Sequence, residues 1–487
     1  MLDWLGGDER FLPRPVLGVR RQSRRSQSGD LVTALHNSNK HWGIFAGDQL
    51  RQWAEGDTFT IIAGQQVGFA GGPLYTLGKL ASLVRLKRDL EKQGTPVTAF
   101  FWLATEDHDF DEIATLNVPV ATLPRDKDVN RQLDLLSMRA IRTTDARRAV
   151  GSLPVPEPLI AQLLALYDIP RPAWLREGIS FRDSFAELIA TVFGSEIILV
   201  DALLPEIRRA GEPLFRQIDS RKDEVQRILR NRAEELKAAG YHEQVTPGED
   251  GNYTLLYELD EHENRQPPTA NRQPERTSTT ALTRPLLQDL VFQPDVFFGG
   301  PAEVAYYAQI APLHELFGIE MPRVALRGHA LIAPKRIERA FERHAIEPAA
   351  VFQPADTILA GKEPEAVTRV RAIAEAAKRD LMARIEDISE LALPAEHSLA
   401  GSIQRSIGHL EFHFDKLSAR AIKGLVRKDR ERYAATHELV ATLFPDRKVQ
   451  DRVVSWFAYW CQYERQLVER VIEEIEPDSD HFRIVSL

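Results

Sequence analysis

The chain has 487 residues, 43% of them hydrophobic and 27% charged, which supports two or three domains around a sizeable core and sets aside disorder for most of its length. Its formal charge of -9 argues against nucleic acid as the main partner, because phosphate binding needs a net basic footprint. A single cysteine, Cys461, excludes an intrachain disulfide and a cysteine-rich zinc site.

The N-terminal stretch carries Asp3, Asp8 and Glu9 and lacks an apolar run of signal-peptide length. No later segment offers the ~20 apolar residues of a membrane span, so a cytoplasmic protein with no membrane partner is expected. The basic run Arg20 to Arg25 reads as a solvated stretch beside a helix start.

The apolar, β-branched block Phe59 to Ala63 ends at Gly64 and predicts a buried parallel strand. A glycine-rich turn follows, Gly64 through Gly72. Pro73 then opens a helix where its missing N–H costs nothing, with Leu74, Leu77, Leu80, Ala81, Val84 and Leu90 as the apolar face. Gly94 and Pro96 end it, and Val97 to Leu103 is the next strand. Strand, helix and strand form a βαβ crossover, the unit of a parallel sheet.

Further strands are expected at Ile197 to Val200 and Val296 to Phe298. The less regular segments near 117–153 and 236–284 read as insertions in a Rossmann-like core spanning 1–360. From 361 to 476, apolar residues recur at spacings of three and four, among them Val367, Val370, Ala374 and then Leu399, Ile403, Ile407, Leu410. This predicts a helical coiled-coil arm turning near Leu393-Pro394, and residues 477–487 look like a terminal strand returning to the core. The fold class expected is α/β, a Rossmann-like parallel sheet with inserted segments and a C-terminal α-helical coiled-coil arm.

Three constellations carry potential chemistry. In Gly64-Gln65-Gln66-Val67-Gly68 through Gly72, glycines would let backbone amides approach an anion at a helix start. The spacing is neither the dinucleotide fingerprint nor a P-loop, and a purely structural glycine turn reads almost as well. The second, Glu106-Asp107-His108-Asp109-Phe110-Asp111-Glu112, follows a strand at the carboxyl edge where open parallel sheets place ligands. Crowded acids would hold His108 protonated and suit proton transfer or amine binding; the alternatives are a helix-start decoration and a divalent metal on Asp107, His108 and Asp109. The third, Gly299-Gly300-Pro301-Ala302-Glu303, repeats the strand-to-helix turn, and Arg284 upstream offers a guanidinium for a carboxylate or phosphate. The echo between Phe69 to Pro73 and Phe297 to Pro301 suggests two backbone-lined pockets of similar design.

These blocks in this order resemble the cysteine ligase family of bacillithiol biosynthesis. The resemblance rests on Gly64 to Gly68 with Gly72-Pro73-Leu74-Tyr75-Thr76, Phe101 through Ile113, Arg284 to Asp289 and Gly299 to Tyr306. It implies a core akin to class I aminoacyl-tRNA synthetases and a coiled-coil arm that makes a homodimer. It also implies the joining of L-cysteine through an amide to the amine of glucosaminyl-malate. Two departures stand out: Thr105 occupies a position where a glycine is expected, and Thr277 to Ala281 differs from the usual lead-in to Arg284-Pro285.

An amide ligase needs an activated carboxyl and a neutral amine, so ATP/ADP is the cofactor pair expected, with no metal assigned. Gln65, Gln66 and the loop amides would position phosphate or carboxylate oxygens. His108, helped by Asp107 or Asp109, would take the amine's proton, and Arg284 would meet the malate end. Gly64, Gly68, Gly72, Tyr75, Glu106, Gly299, Gly300 and Glu303 complete the expected binding set. A metal-dependent hydrolase using the acidic motif and a non-catalytic nucleotide-binding dimer are the rival readings.

Overall fold

Strand β1, Phe59–Gln65, is buried along its whole length, and so is β2, Val97–Leu103, which pairs with it in parallel from Phe59 opposite Val97 to Gln65 opposite Leu103. This computed structural model describes all residues except 1–3, 5–6, 15–16, 19–25, 109–114, 117–132, 135–148, 345, 354, 361–364, 395 and 427–429. Asp109 and most of the insertion expected near 117–153 therefore lie outside the described residues.

Helix α1, Gly29–His41, precedes β1, and helix α2, Leu74–Lys92, links β1 to β2. The sheet continues through β3, Ile198–Asp201. Helix α3, Pro205–Ala210, leaves its end, and a small antiparallel sheet of β4 (Leu256–Leu259), β5 (Arg265–Gln266) and β6 (Thr277–Thr279) follows in the order β5-β4-β6. Helix α4, Arg284–Phe292, leads into β7, Val296–Gly299; helix α5, Pro301–Phe317, leads into β8, Arg323–Leu326. The central sheet runs β8-β7-β1-β2-β3, all parallel. Near-continuous apolar strands are what a sheet covered on both faces requires.

Strand β8 has no counterpart in the sequence reading: only Val324-Ala325-Leu326 is apolar, too short a run to stand out from a loop after Pro322. Strand β3 lies at the sheet edge, where its backbone groups would be unpaired. Asn39 of α1 fills that gap, donating from Nδ2 to the Leu199 carbonyl and accepting from the Leu199 amide, both at 2.8 Å.

The chain divides into two compact units. The first holds residues 1–332 with 450–485 and 487; the second holds 333–449 with 486. In the second, helices α6, Glu365–Ala392, and α7, Ala400–Val426, pack on one another as the expected hairpin, and Lys378 pairs with Asp415 at 3.2 Å. Ile373, Ile388, Leu391, Leu410, Phe412 and Leu417 remain exposed there.

The chain re-enters the first unit at Gln450, well before residue 477, where the arm was expected to end. Helix α8, Trp456–Glu474, thus belongs to the first unit because its face of Trp456, Phe457, Leu467, Val468, Val471 and Ile472 is buried in that core. The terminal strand forms as β10, Phe482–Ser486, and pairs with β9, His329–Ala333, in a separate two-stranded sheet. Among the described residues no helix is long and apolar enough to cross a membrane.

Two glycines are dictated by packing. A Cβ on Gly64 would lie 2.9 Å from the Trp102 Cβ, so the close approach of β1 to β2 needs glycine there. Gly71 has φ +80°, and a Cβ would lie 2.5 Å from the Trp456 indole, whose Nε1 donates to the Gly71 carbonyl at 2.9 Å. Replacing Gly71 with alanine combines a left-handed backbone penalty with an aromatic clash. It is expected to destabilise the first unit by about 2–4 kcal/mol, read as a lower midpoint in denaturant unfolding.

Candidate active site

In the strand order β3-β2-β1-β7-β8 the chain works outward from β1 in one direction and returns to its other side at β7. The carboxyl ends of β1 and β7 therefore face a switch point, where open parallel sheets hold ligands. A cleft of about 730 Å³ lies there, lined by Gly64, Gln65, Gln66, Tyr75, Glu106, Asp107, Arg284, Gly300 and Glu303 among others. The glycine–glutamine turn and the acidic turn thus meet in one cavity. Of the two echoing turns only the second reaches this cleft, through Gly300 and Pro301, so the two similar pockets expected from the echo are not formed.

Gly68, Gly72, Gly299 and His108 are not among the lining residues. The reason for the first two is structural. Residues 67–72 are buried, and the amide of Leu74 at the start of α2 donates to the Val454 carbonyl at 2.7 Å, so that helix N-terminus is closed to a ligand. The α5 N-terminus is the one that opens on the cleft, through Gly300, Pro301, Ala302 and Glu303. Its partial positive charge favours an anion.

Lys79, on α2 one turn beyond Tyr75, is buried and joins the two turns. Its Nζ donates to the Gly64 carbonyl at 2.6 Å and to Gln65 Oε1 at 2.8 Å, and it forms an ion pair with Glu303. Glu303 Oε2 also accepts from the Gly300 amide at 2.8 Å, capping its own helix. Gln65 Nε2 donates to the Tyr75 hydroxyl at 3.3 Å. Glu303 and Gln65 are therefore both engaged with protein groups.

Glu106 is buried and saturated. It accepts from Arg208 of α3 at 2.9 Å, from Ser278 Oγ at 2.8 Å and from Thr279 Oγ1 at 2.8 Å. The Thr277–Ala281 departure thus supplies two hydroxyls that tie β6 to the end of β2. Thr105 is explained in the same way: its hydroxyl donates to Asp201 at the end of β3 at 2.5 Å.

His108 follows Asp107, and its backbone amide donates to the Asp107 carboxylate at 2.7 Å. Both ring nitrogens are buried, without a well-aligned hydrogen bond to any of the described residues. Burial, then the charge of Arg265, push its pKa below the ordinary histidine value, outweighing Asp107 and the Glu263 and Glu106 backbone groups. The neighbouring acids were expected to keep this ring protonated; desolvation and a nearby guanidinium make it neutral instead.

Sequence reasoning missed Lys79, Arg265, Arg327 and Arg452, all of which line the cleft. Arg327 is buried and pairs with Asp451 at 2.7 Å, while its Nε has no hydrogen-bond partner among the described residues. Arg284 is fixed by Gln288 at 3.1 Å and by the Tyr306 hydroxyl. Burial opposes the charge of Arg284, but Tyr306 and Glu303 outweigh it and keep it firmly protonated. Arg265, Arg284 and Arg452 form no ion pair with a carboxylate of the described residues. The cleft is therefore cationic although the chain is acidic overall. Among the described residues no group of three or more His, Cys, Asp or Glu could hold a metal ion.

A cationic cleft at the switch point of a parallel sheet, in a chain that also carries a unit of long paired helices, defines an α/β protein with a Rossmann-like core and a helical arm. The chain matches the family model described as "Bacillithiol biosynthesis BshC, N-terminal Rossmann-like domain" over residues 16–266 and 261–328, and the "C-terminal coiled-coil domain" model over 330–487. It belongs to the BshC family. A protein of Koribacter versatilis named "Putative cysteine ligase BshC" is 29% identical across 93% of this chain and 88% of its own length. A relative of the same name from Solibacter usitatus is 28% identical over the same shares. One from Bacillus thuringiensis is 32% identical over 61% of this chain and 60% of its own.

Proposed function

We propose that the protein is a cytoplasmic ligase that joins the carboxyl of L-cysteine to the amine of glucosaminyl-malate, forming the amide of bacillithiol. The observation that carries this reading is the single cleft in which Gln65, Gln66, Asp107 and the unpaired guanidinium of Arg284 converge on the α5 N-terminus. The C–N bond forms as a C–O bond of the activated carboxyl breaks, and the amine's proton must leave.

ATP, when bound, would supply the activation of the cysteine carboxyl. The fit rests on this chain's own groups: the unpartnered Nε of Arg327, the side chain of Arg284 and the open end of α5 suit a polyanion. We assign proton acceptance to the Asp107–His108 pair, Asp107 facing the cleft and His108 adjacent and neutral. The exposed apolar residues of α6 and α7 suit a homodimer formed through the arm.

Incubation with L-cysteine, glucosaminyl-malate and ATP, followed by mass detection of the condensed thiol, tests the reading; no product from the folded enzyme would overturn it. The His108→Ala variant should lose about 10²–10⁴-fold in kcat if the ring takes part. Unchanged turnover would leave Asp107 alone. Since burial depresses the His108 pKa, activity should be full above the ordinary histidine value near 6.5 and fall on the acid side, below that value. The same sign holds for stability: the unfolded chain binds this proton more readily, so the His108 contribution is lost as pH falls.

A further inference from the structure

The cleft has two chemically different linings. Most of the charge comes from the core, with the cations Lys79, Arg284, Arg327 and Arg452 beside the neutral Gln65, Gln66 and Tyr75. The groups from the segment 245–281 are mainly neutral hydroxyls, with Thr246, Thr254 and Tyr257 as members and Arg265 as the one cation kept for contact. The hydroxyls of Thr246, Thr254 and Tyr257 make no hydrogen bond with the described residues, and both threonines are exposed.

Tyr257 is nonetheless not a loose side chain. The Arg265 guanidinium lies 5.1 Å from its ring centroid, and Arg265 is itself held by Ser278 Oγ and the Thr279 carbonyl, both at 3.2 Å. β6, which carries Ser278 and Thr279, is fixed in turn through Glu106 to the end of β2. The small sheet thus presents a preorganised phenol beside two threonine hydroxyls, anchored to the sheet that bears the reacting groups.

Hydroxyls both donate and accept, which matches the hydroxyls of a pyranose ring, whereas an anion is better served by the arginines. We propose that the 245–281 segment is the sugar-recognising side of the cleft, with Tyr257 and Thr254 donating to and accepting from ring hydroxyls of the amino-sugar acceptor. The proposal rests on the ligase reading for the identity of that acceptor. It assigns specificity for the sugar to the insertion and leaves the malate carboxylates to the core's cations.

Calorimetry with glucosaminyl-malate, and separately with malate alone, tests this without depending on turnover. The Tyr257→Phe/Thr254→Val double variant removes two hydrogen-bonding groups while keeping the ring over which Arg265 sits. It should lose about 10- to 50-fold in affinity for glucosaminyl-malate, two hydrogen bonds' worth, with malate affinity and the KM for cysteine unchanged. Tyr257→Phe alone should lose the smaller part of that factor, and unchanged thermal unfolding shows that the fold is intact. Equal affinity of variant and parent for glucosaminyl-malate would overturn the proposal, as would an equal loss for malate. A parent enzyme that binds the acceptor but condenses no cysteine onto it would overturn the ligase reading instead.

Discussion

Replacing Glu106 with alanine is expected to cost the protein about 3–5 kcal/mol of stability, more than it costs binding. The carboxylate is buried, and three donors converge on it: Arg208, Ser278 and Thr279. Its removal strands the Arg208 guanidinium, which is 1% exposed, keeping only backbone acceptors at Ala202, Glu275 and Thr277. An uncompensated buried charge is costlier than the lost pair itself. Arg208→Ala should be similarly damaging, and the double variant should lose less than the sum of the two, because neither charge is then left alone. Denaturant unfolding of the three proteins measures this. If Glu106→Ala unfolded like the parent yet lost acceptor affinity, the carboxylate would be a ligand group and not a strut.

The contrast between Glu106 and Asp107 shows where sequence reading stops. That the acidic turn ends a strand and faces a ligand cleft was legible, because the seven apolar residues of β2 are contiguous and the βαβ spacing fixes which strand end carries the turn. Which acid is tied up by groups distant in sequence was not legible. Glu106 is bound to groups 102 and 172 positions away, and nothing local announces Arg208 or Ser278 as its partners. Arg327 and Arg452 were hidden for the same reason: they meet only because the chain returns at Gln450 and places Asp451 against Arg327. Lys79 did leave a trace, since it follows Tyr75 by four residues on a helix and so shares its face. A lysine in an amphipathic helix ordinarily reads as solvated, and that expectation concealed it.

Substitution of Arg284 by alanine should lower kcat/KM by about 10²–10³-fold with little change in stability. The guanidinium forms no direct ion pair with a carboxylate among the described residues, and Glu303, whose charge it also feels, keeps its ion pair with Lys79, so the loss of Arg284 breaks no buried salt bridge, unlike the loss of Arg208. What holds it is a polar relay: Gln288 accepts from Arg284, donates to Asp289 at 3.2 Å, and Asp289 is in turn bound to His314 at 2.9 Å and to the Tyr307 hydroxyl at 3.2 Å. A buried relay of this kind fixes the direction of the guanidinium before any ligand arrives, which lowers the entropy cost of binding. Lysine at 284 restores charge but not the planar fork that engages Gln288 and Tyr306 together, so Arg284→Lys should recover only part of the loss. The split between constants identifies the ligand. A rise in KM for glucosaminyl-malate with kcat preserved places the malate end at Arg284, whereas a fall in kcat with KM unchanged places there the charge that develops during acyl transfer. Full activity in Arg284→Ala would remove this residue from the site and with it the electrostatic argument for an anionic ligand at the α5 end of the cleft.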